Sequence, residues 1–206
     1  MTRVKICGIT SAEDAAAAVD AGADALGVVF APGTPRCVAP DAAGGILEAV
    51  PPLVATVGVF VDHPLEDVLR IVALLGLHAV QLHGREPAEY SRRLPVPVIR
   101  AVRVRDAESL RPLETYPARA FLLDGYVEGI PGGTGTPVAL DLALQAKGRI
   151  PVILSGGLRP DTVAQAVRLV RPYGVDVSSG VEASPGRKDH RKVREFIVNV
   201  RQADLG

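Results

Sequence analysis

The sequence is short of cysteine, has no excess charge of either sign and contains no long hydrophobic run. Two cysteines, Cys7 and Cys37, in 206 residues exclude a disulfide scaffold. They form no C-x-x-C pair, and no Cys, His and carboxylate set has ligand spacing, so no metal is expected. Lys and Arg total 23, and Asp and Glu total 23. That balance disfavours a nucleic-acid or anionic-membrane partner while leaving room for local basic sites that take small anions. No stretch reaches the roughly 18 apolar residues of a membrane span. Residues 1–8 carry charges and lack the apolar segment of a secretory leader, so a cytoplasmic location is expected.

What is present is an alternation. The chain is 48% hydrophobic and 22% charged, as in ordinary globular proteins, and is read as one domain over 1–206. β-Branched runs at 3–7, 24–30, 53–61, 79–82, 96–102, 120–124, 151–154 and 174–177 predict strands. Between them, 12–21, 40–50, 64–75, 86–94, 106–115, 138–147, 162–170 and 189–202 have helical spacing. Parallel strands need crossover helices, so this order predicts a parallel sheet. Eight units predict a minimal α/β fold, a closed (β/α)8 TIM barrel. An open doubly wound sheet is the alternative. Against it, Cys7-Gly8-Ile9-Thr10-Ser11 follows the first strand where a Gly-x-Gly-x-x-Gly turn would be expected. Two connections, 31–37 and 125–137, are longer and Gly- or Pro-rich. In a barrel both lie on the C-terminal face and are candidate lids.

Several residues fall where a barrel builds its site. Cys7 ends the first strand; it is either a buried small hydrophobe or a reactive thiol. Asp124 closes the apolar run Ala120-Phe121-Leu122-Leu123. It is either a loop hydrogen-bond acceptor or, with Cys7, half of a pair suited to one proton removal and one donation. Arg36 in Thr34-Pro35-Arg36 is a surface residue or a fork for a planar carboxylate. Ser155-Gly156-Gly157-Leu158 and Ser178-Ser179-Gly180-Val181 follow strands seven and eight, where barrels often bind phosphate. His83 reaches the mouth side of strand four, His78 its opposite end, and His63 and His190 are expected to be solvated.

These motifs resemble one family in order along the chain. They are Val4-Lys5-Ile6-Cys7-Gly8-Ile9-Thr10, Thr34-Pro35-Arg36, Val80-Gln81-Leu82-His83-Gly84, Leu122-Leu123-Asp124, Gly132-Gly133-Thr134-Gly135, Leu154-Ser155-Gly156-Gly157-Leu158 and Val175-Asp176-Val177-Ser178-Ser179-Gly180-Val181-Glu182. The sequence resembles the phosphoribosylanthranilate isomerases of tryptophan biosynthesis. The resemblance implies an Amadori rearrangement of N-(5-phosphoribosyl)anthranilate without cofactor or metal. It implies Cys7 as general base, Asp124 as general acid and Arg36 on the anthranilate carboxylate. His83, Gly133, Gly156, Gly157, Asp176, Ser179 and Gly180 would complete the substrate site. The expected partner is a phosphosugar carrying an anthranilate group, and a homodimer is compatible with the family.

Three positions depart from the family pattern: Gly125 in place of Ser or Thr, Leu140-Asp141-Leu142 in place of aromatic-Asp-Trp, and Cys37 in place of a larger residue. They bear on the lid and the anthranilate pocket. Other phosphosugar barrels and an inactive binding module are competing readings. Each should lack the set Cys7, Arg36 and Asp124. Cys37, one residue after Arg36, is also expected to reach Cys7 under oxidation.

Overall fold

Each strand of the sheet pairs in parallel with the next, and the last pairs with the first. The order is β1 (Arg3–Cys7), β2 (Ala25–Val29), β3 (Ala55–Phe60), β4 (Ala79–Leu82), β5 (Val98–Val104), β6 (Ala120–Gly125), β7 (Val152–Ser155) and β8 (Gly174–Val177). Closure runs through β1 and β8, where Lys5 lies opposite Asp176. The structure, a computed structural model, describes residues 1–125, 137–146, 148 and 150–206, with backbone alone at 137–139. The helices are α1 (Ala12–Asp20), α2 (Pro40–Leu47), α3 (Leu65–Leu75), α4 (Ala88–Arg92), α5 (Pro112–Thr115), α6 (Pro137–Ala146), α7 (Pro160–Val170) and α8 (His190–Leu205). This is the closed (β/α)8 barrel, and the open sheet is excluded.

Local chemistry accounts for the elements. β3 and β6 are buried on both faces, so they read as apolar runs without alternation, whereas β1 alternates, Arg3 and Lys5 between apolar neighbours. Ser11 caps α1 by accepting from the Asp14 N–H, and Asp189 caps α8 by accepting from Arg191 and Lys192. Pro40 and Pro160 open α2 and α7, where a missing N–H costs nothing.

Proline also explains where the boundaries differ from expectation. β5 starts at Val98, not 96, because Pro97 has no N–H for the ladder. The helix expected over 106–115 is a 3-10 turn, Ala107–Leu110, and then α5, interrupted at Pro112. Unforeseen is an antiparallel hairpin, β9 (Glu182–Ser184) with β10 (Arg187–Lys188), between β8 and α8.

Two regions form the core. Phe60, Phe121, Phe196, Leu26 and Leu82 fill the layer between strands and helices. Inside the barrel, Ala101, Ala120, Leu122 and Ile153 make a small apolar plug with Ile99. Lys5, Gln81 and Asp176 are buried as well. Burying such polar groups costs free energy unless they are paired, which marks them as parts of a site. Among the described residues no helix is long and apolar enough to cross a membrane.

Candidate active site

Cys7 is the last residue of β1 and is 7% exposed. Its partner in the β1–β2 register is Gly27. A Cβ on Gly27 would lie 2.8 Å from Cys7 Sγ and 3.0 Å from Lys5 Nζ, so the missing side chain makes room for both groups. Lys5 Nζ donates to Asp176 Oδ1 at 2.6 Å, and Ser155 Oγ donates to Asp176 Oδ2 at 2.9 Å. Burial pushes the Cys7 thiol up; the cations Lys5 and Lys188 oppose that shift, and Asp176 adds to it. Burial would lower the Lys5 ammonium, but Asp176 and Cys7 outweigh it and hold it above the ordinary lysine value.

Across the mouth, Asp124 sits on β6 next to Ser155 of β7. His83 Nε2 lies 3.4 Å from Asp124 Oδ2, and Gln81 Nε2 lies 3.2 Å from His83 Nδ1. Gln81 and His83 are two residues apart on an extended chain, so they share one face and reach the barrel interior and its mouth in turn. Gln81 itself was not anticipated. The other histidines are structural. His78 Nδ1 accepts from the Thr56 N–H at the far end of the barrel. His63, expected to be solvated, is half-buried, its ring edge-on to Phe60 with centroids 5.4 Å apart. His190 corrects the expectation of a solvated ring: its Nε2 lies 2.8 Å from Asp14 Oδ1. The fold brings α1 against the start of α8, a contact 176 residues apart in sequence.

Arg36 is not a free guanidinium. Its Nε and Nη2 donate to Glu182 Oε1 and Oε2 at 2.7 and 2.6 Å. Glu182 Oε1 also accepts from Lys188 Nζ at 3.0 Å, and that ammonium reaches the Ser178 carbonyl at 3.3 Å. Burial would raise the Glu182 carboxyl, but Arg36 and Lys188 outweigh it and hold it below the usual range. Glu182 and Lys188 were missed as site residues. Glu182 stood inside a recognised motif, yet nothing in sequence linked it to an arginine 146 residues away.

The two late glycine segments meet. A Cβ on Gly180 would overlap the Leu158 carbonyl oxygen, so the turns after β7 and β8 interlock at that point. Gly156 and Gly157 lead towards α7, while Ser179 and Gly180 belong to a short 3-10 turn. The expected residue Gly133 and all of the candidate lid over 125–137 except its end residues Gly125 and Pro137 lie outside the described residues. Cys37 is exposed and its thiol faces the Phe30 carbonyl at 3.5 Å, whereas Cys7 is buried against Gly27. Among the described residues no group of three His, Cys, Asp or Glu could hold a metal ion.

Fold and mouth together define a minimal (β/α)8-barrel protein with a thiol and a carboxyl group at the C-terminal ends of β1 and β6. Comparison with known proteins narrows the class. The family model for N-(5'-phosphoribosyl)anthranilate (PRA) isomerase matches residues 4–199. An N-(5'-phosphoribosyl)anthranilate isomerase of Citrifermentans bemidjiense is 52% identical over 205 residues, covering 100% of both chains. The crystal structure of phosphoribosyl anthranilate isomerase from Thermotoga maritima superposes with a TM-score of 0.93 at 43% identity, covering 98% of this chain and 100% of that one. A structure of the isomerase in complex with reduced 1-(o-carboxyphenylamino)-1-deoxyribulose 5-phosphate has a TM-score of 0.88 at 42% identity, covering 98% and 100%. The chain belongs to the N-(5'-phosphoribosyl)anthranilate isomerase family.

Proposed function

We propose that this protein rearranges N-(5-phosphoribosyl)anthranilate to 1-(2-carboxyphenylamino)-1-deoxyribulose 5-phosphate, with Cys7 as base and Asp124 as acid. The observation that carries the reading is their placement: two proton-transfer groups at the ends of β1 and β6, on one face of the barrel. Asp124 gives a proton to the ring oxygen as the sugar's C1–O bond breaks, and the anilino nitrogen's lone pair forms a protonated Schiff base. The Cys7 thiolate then takes the proton from the second carbon, leaving an enolamine. Reprotonation at C1 and loss of the hydroxyl proton at C2 give the ketone. His83 Nε2, 3.4 Å from Asp124 Oδ2, stands beside the carboxylate that forms.

Arg36 would meet the anthranilate carboxylate. Glu182 occupies its Nε and Nη2, and a guanidinium's five N–H donors leave others for a ligand. The interlocked turns holding Gly156, Gly157, Ser179 and Gly180 would take the phosphate through backbone N–H groups. Asp176 is placed beneath the mouth, and its role towards substrate would run through Lys5 and Ser155. Gly133 keeps its assignment from the family motif alone.

A homodimer is supported by a dimeric relative, the phosphoribosylanthranilate isomerase of Thermotoga maritima. A cytoplasmic location and the lack of a nucleic-acid partner are in keeping with the biosynthetic reading and the balanced charge. The test is turnover, followed as the loss of anthranilate-derivative fluorescence. Decay with purified protein is expected, and substrate that stays intact would overturn the reading.

A further inference from the structure

The buried ammonium beside the thiol moves no proton in the chemistry above. We propose that Lys5 is a positioning residue for the Cys7 base: its ammonium, anchored by Asp176, holds the sulfur in place and favours its anionic form. The inference rests on reading Cys7 as the base.

Lys5 and Cys7 are alternate residues of one strand, so both side chains leave β1 on the same face. They converge on the bare backbone of Gly27, where a Cβ would touch Sγ at 2.8 Å and Nζ at 3.0 Å. Lys5 is 4% exposed and Asp176 5%, so neither charge is satisfied by water. A buried ion pair contributes little net stability, and an apolar pair would fill this space at less cost. Its position against the thiol supplies a chemical reason for it. Asp176 holds Lys5 protonated, which makes Lys5 a fixed cation instead of a second base.

Among the described residues, charged groups from four elements act on Cys7. They are Lys5 on its own strand, Asp176 on β8, Lys188 on β10 and Arg36 from the turn after β2. Lys188 and Arg36 are already tied to Glu182. Lys5 exerts the strongest pull toward the thiolate, and Asp176 acts against it. Removing Lys5 and removing Asp176 should therefore shift the thiol in opposite directions.

The experiment titrates the Cys7 thiol by its ultraviolet thiolate absorbance and by its rate of alkylation, in full-length Cys37→Ala protein without substrate. Lys5→Met should cut the thiolate fraction at a fixed, mildly alkaline pH by about tenfold or more. Asp176→Asn should raise it, and the double variant should fall between. The pH profile of kcat/KM should move with the thiol, to higher pH in Lys5→Met. An unchanged titration in Lys5→Met overturns the proposal. So does a shift of the same sign in both single variants, which is what loosened packing would produce. Should Lys5→Met not fold, Lys5→Gln decides: a thiolate fraction equal to or larger than the parent's sinks the idea. Turnover of Cys7→Ala tests the base separately, so either reading can fail alone.

Discussion

Gly156 lies so close to Asp124 that a Cβ at that position would sit 2.5 Å from Oδ1 and against the Gly125 nitrogen. Its φ of +81° is one that side-chain-bearing residues rarely adopt. The turn after β7 thus supports the Asp124 carboxyl as well as lying at the proposed phosphate site. Gly156→Ala should cost about 1–3 kcal/mol of stability from backbone strain. It should also lower kcat, because the carboxyl must move. Thermal unfolding and steady-state kinetics check this. Wild-type kcat in the variant would show that the turn and the carboxyl are independent.

Cys7→Ala and Asp124→Asn should each leave the fold intact by circular dichroism and remove about 10² to 10⁴ in rate. As the proposed acid, Asp124 would act on a bond that breaks in the transition state, so its loss should appear in kcat. A change in KM alone would make Asp124 a binding residue. Cys7→Ala within threefold of wild type would remove the base assignment.

Arg36→Met should weaken substrate binding by about 1.5–3 kcal/mol, and far less for an analogue lacking the aromatic carboxylate. Glu182→Gln should produce a weaker version of the same selectivity. It keeps the shape but loses the charge that holds the guanidinium fork. Binding isotherms for the paired ligands give the answer: equal losses for both would place Arg36 away from the carboxylate.

The pH dependence follows from two buried groups of opposite behaviour. Glu182 is held below the ordinary carboxyl value in the folded chain. Its stabilisation is therefore full above about pH 4.3 and is lost as pH falls through the lowered value. Cys7 is raised. Its contribution is full below about pH 8.5 and is lost as pH rises through the raised value, while the thiolate form of the proposed base grows over the same range. Urea unfolding at stepped pH should show a shallower acid limb in Glu182→Gln and a shallower alkaline limb in Cys7→Ala. Activity should climb with pH past the ordinary thiol range. A kcat/KM that is flat from neutrality upward would contradict a raised base.

The chain by itself determined the architecture. Eight apolar runs and their intervening helical stretches are local patterns, and parallel strands joined by helices have few ways to close. Cys7, Asp124 and the late glycine segments were legible for the same reason, since each follows a strand and so must reach one face. What tertiary structure decided were the partners of charge. Lys5 meets Asp176 only because β1 closes on β8, and Arg36 meets Glu182 only because the β9–β10 hairpin folds back over the mouth. Ion pairs carry no periodicity along a sequence. In Arg3-Val4-Lys5-Ile6-Cys7 nothing separates a buried lysine from an exposed one until the closing register puts a carboxylate 2.6 Å away.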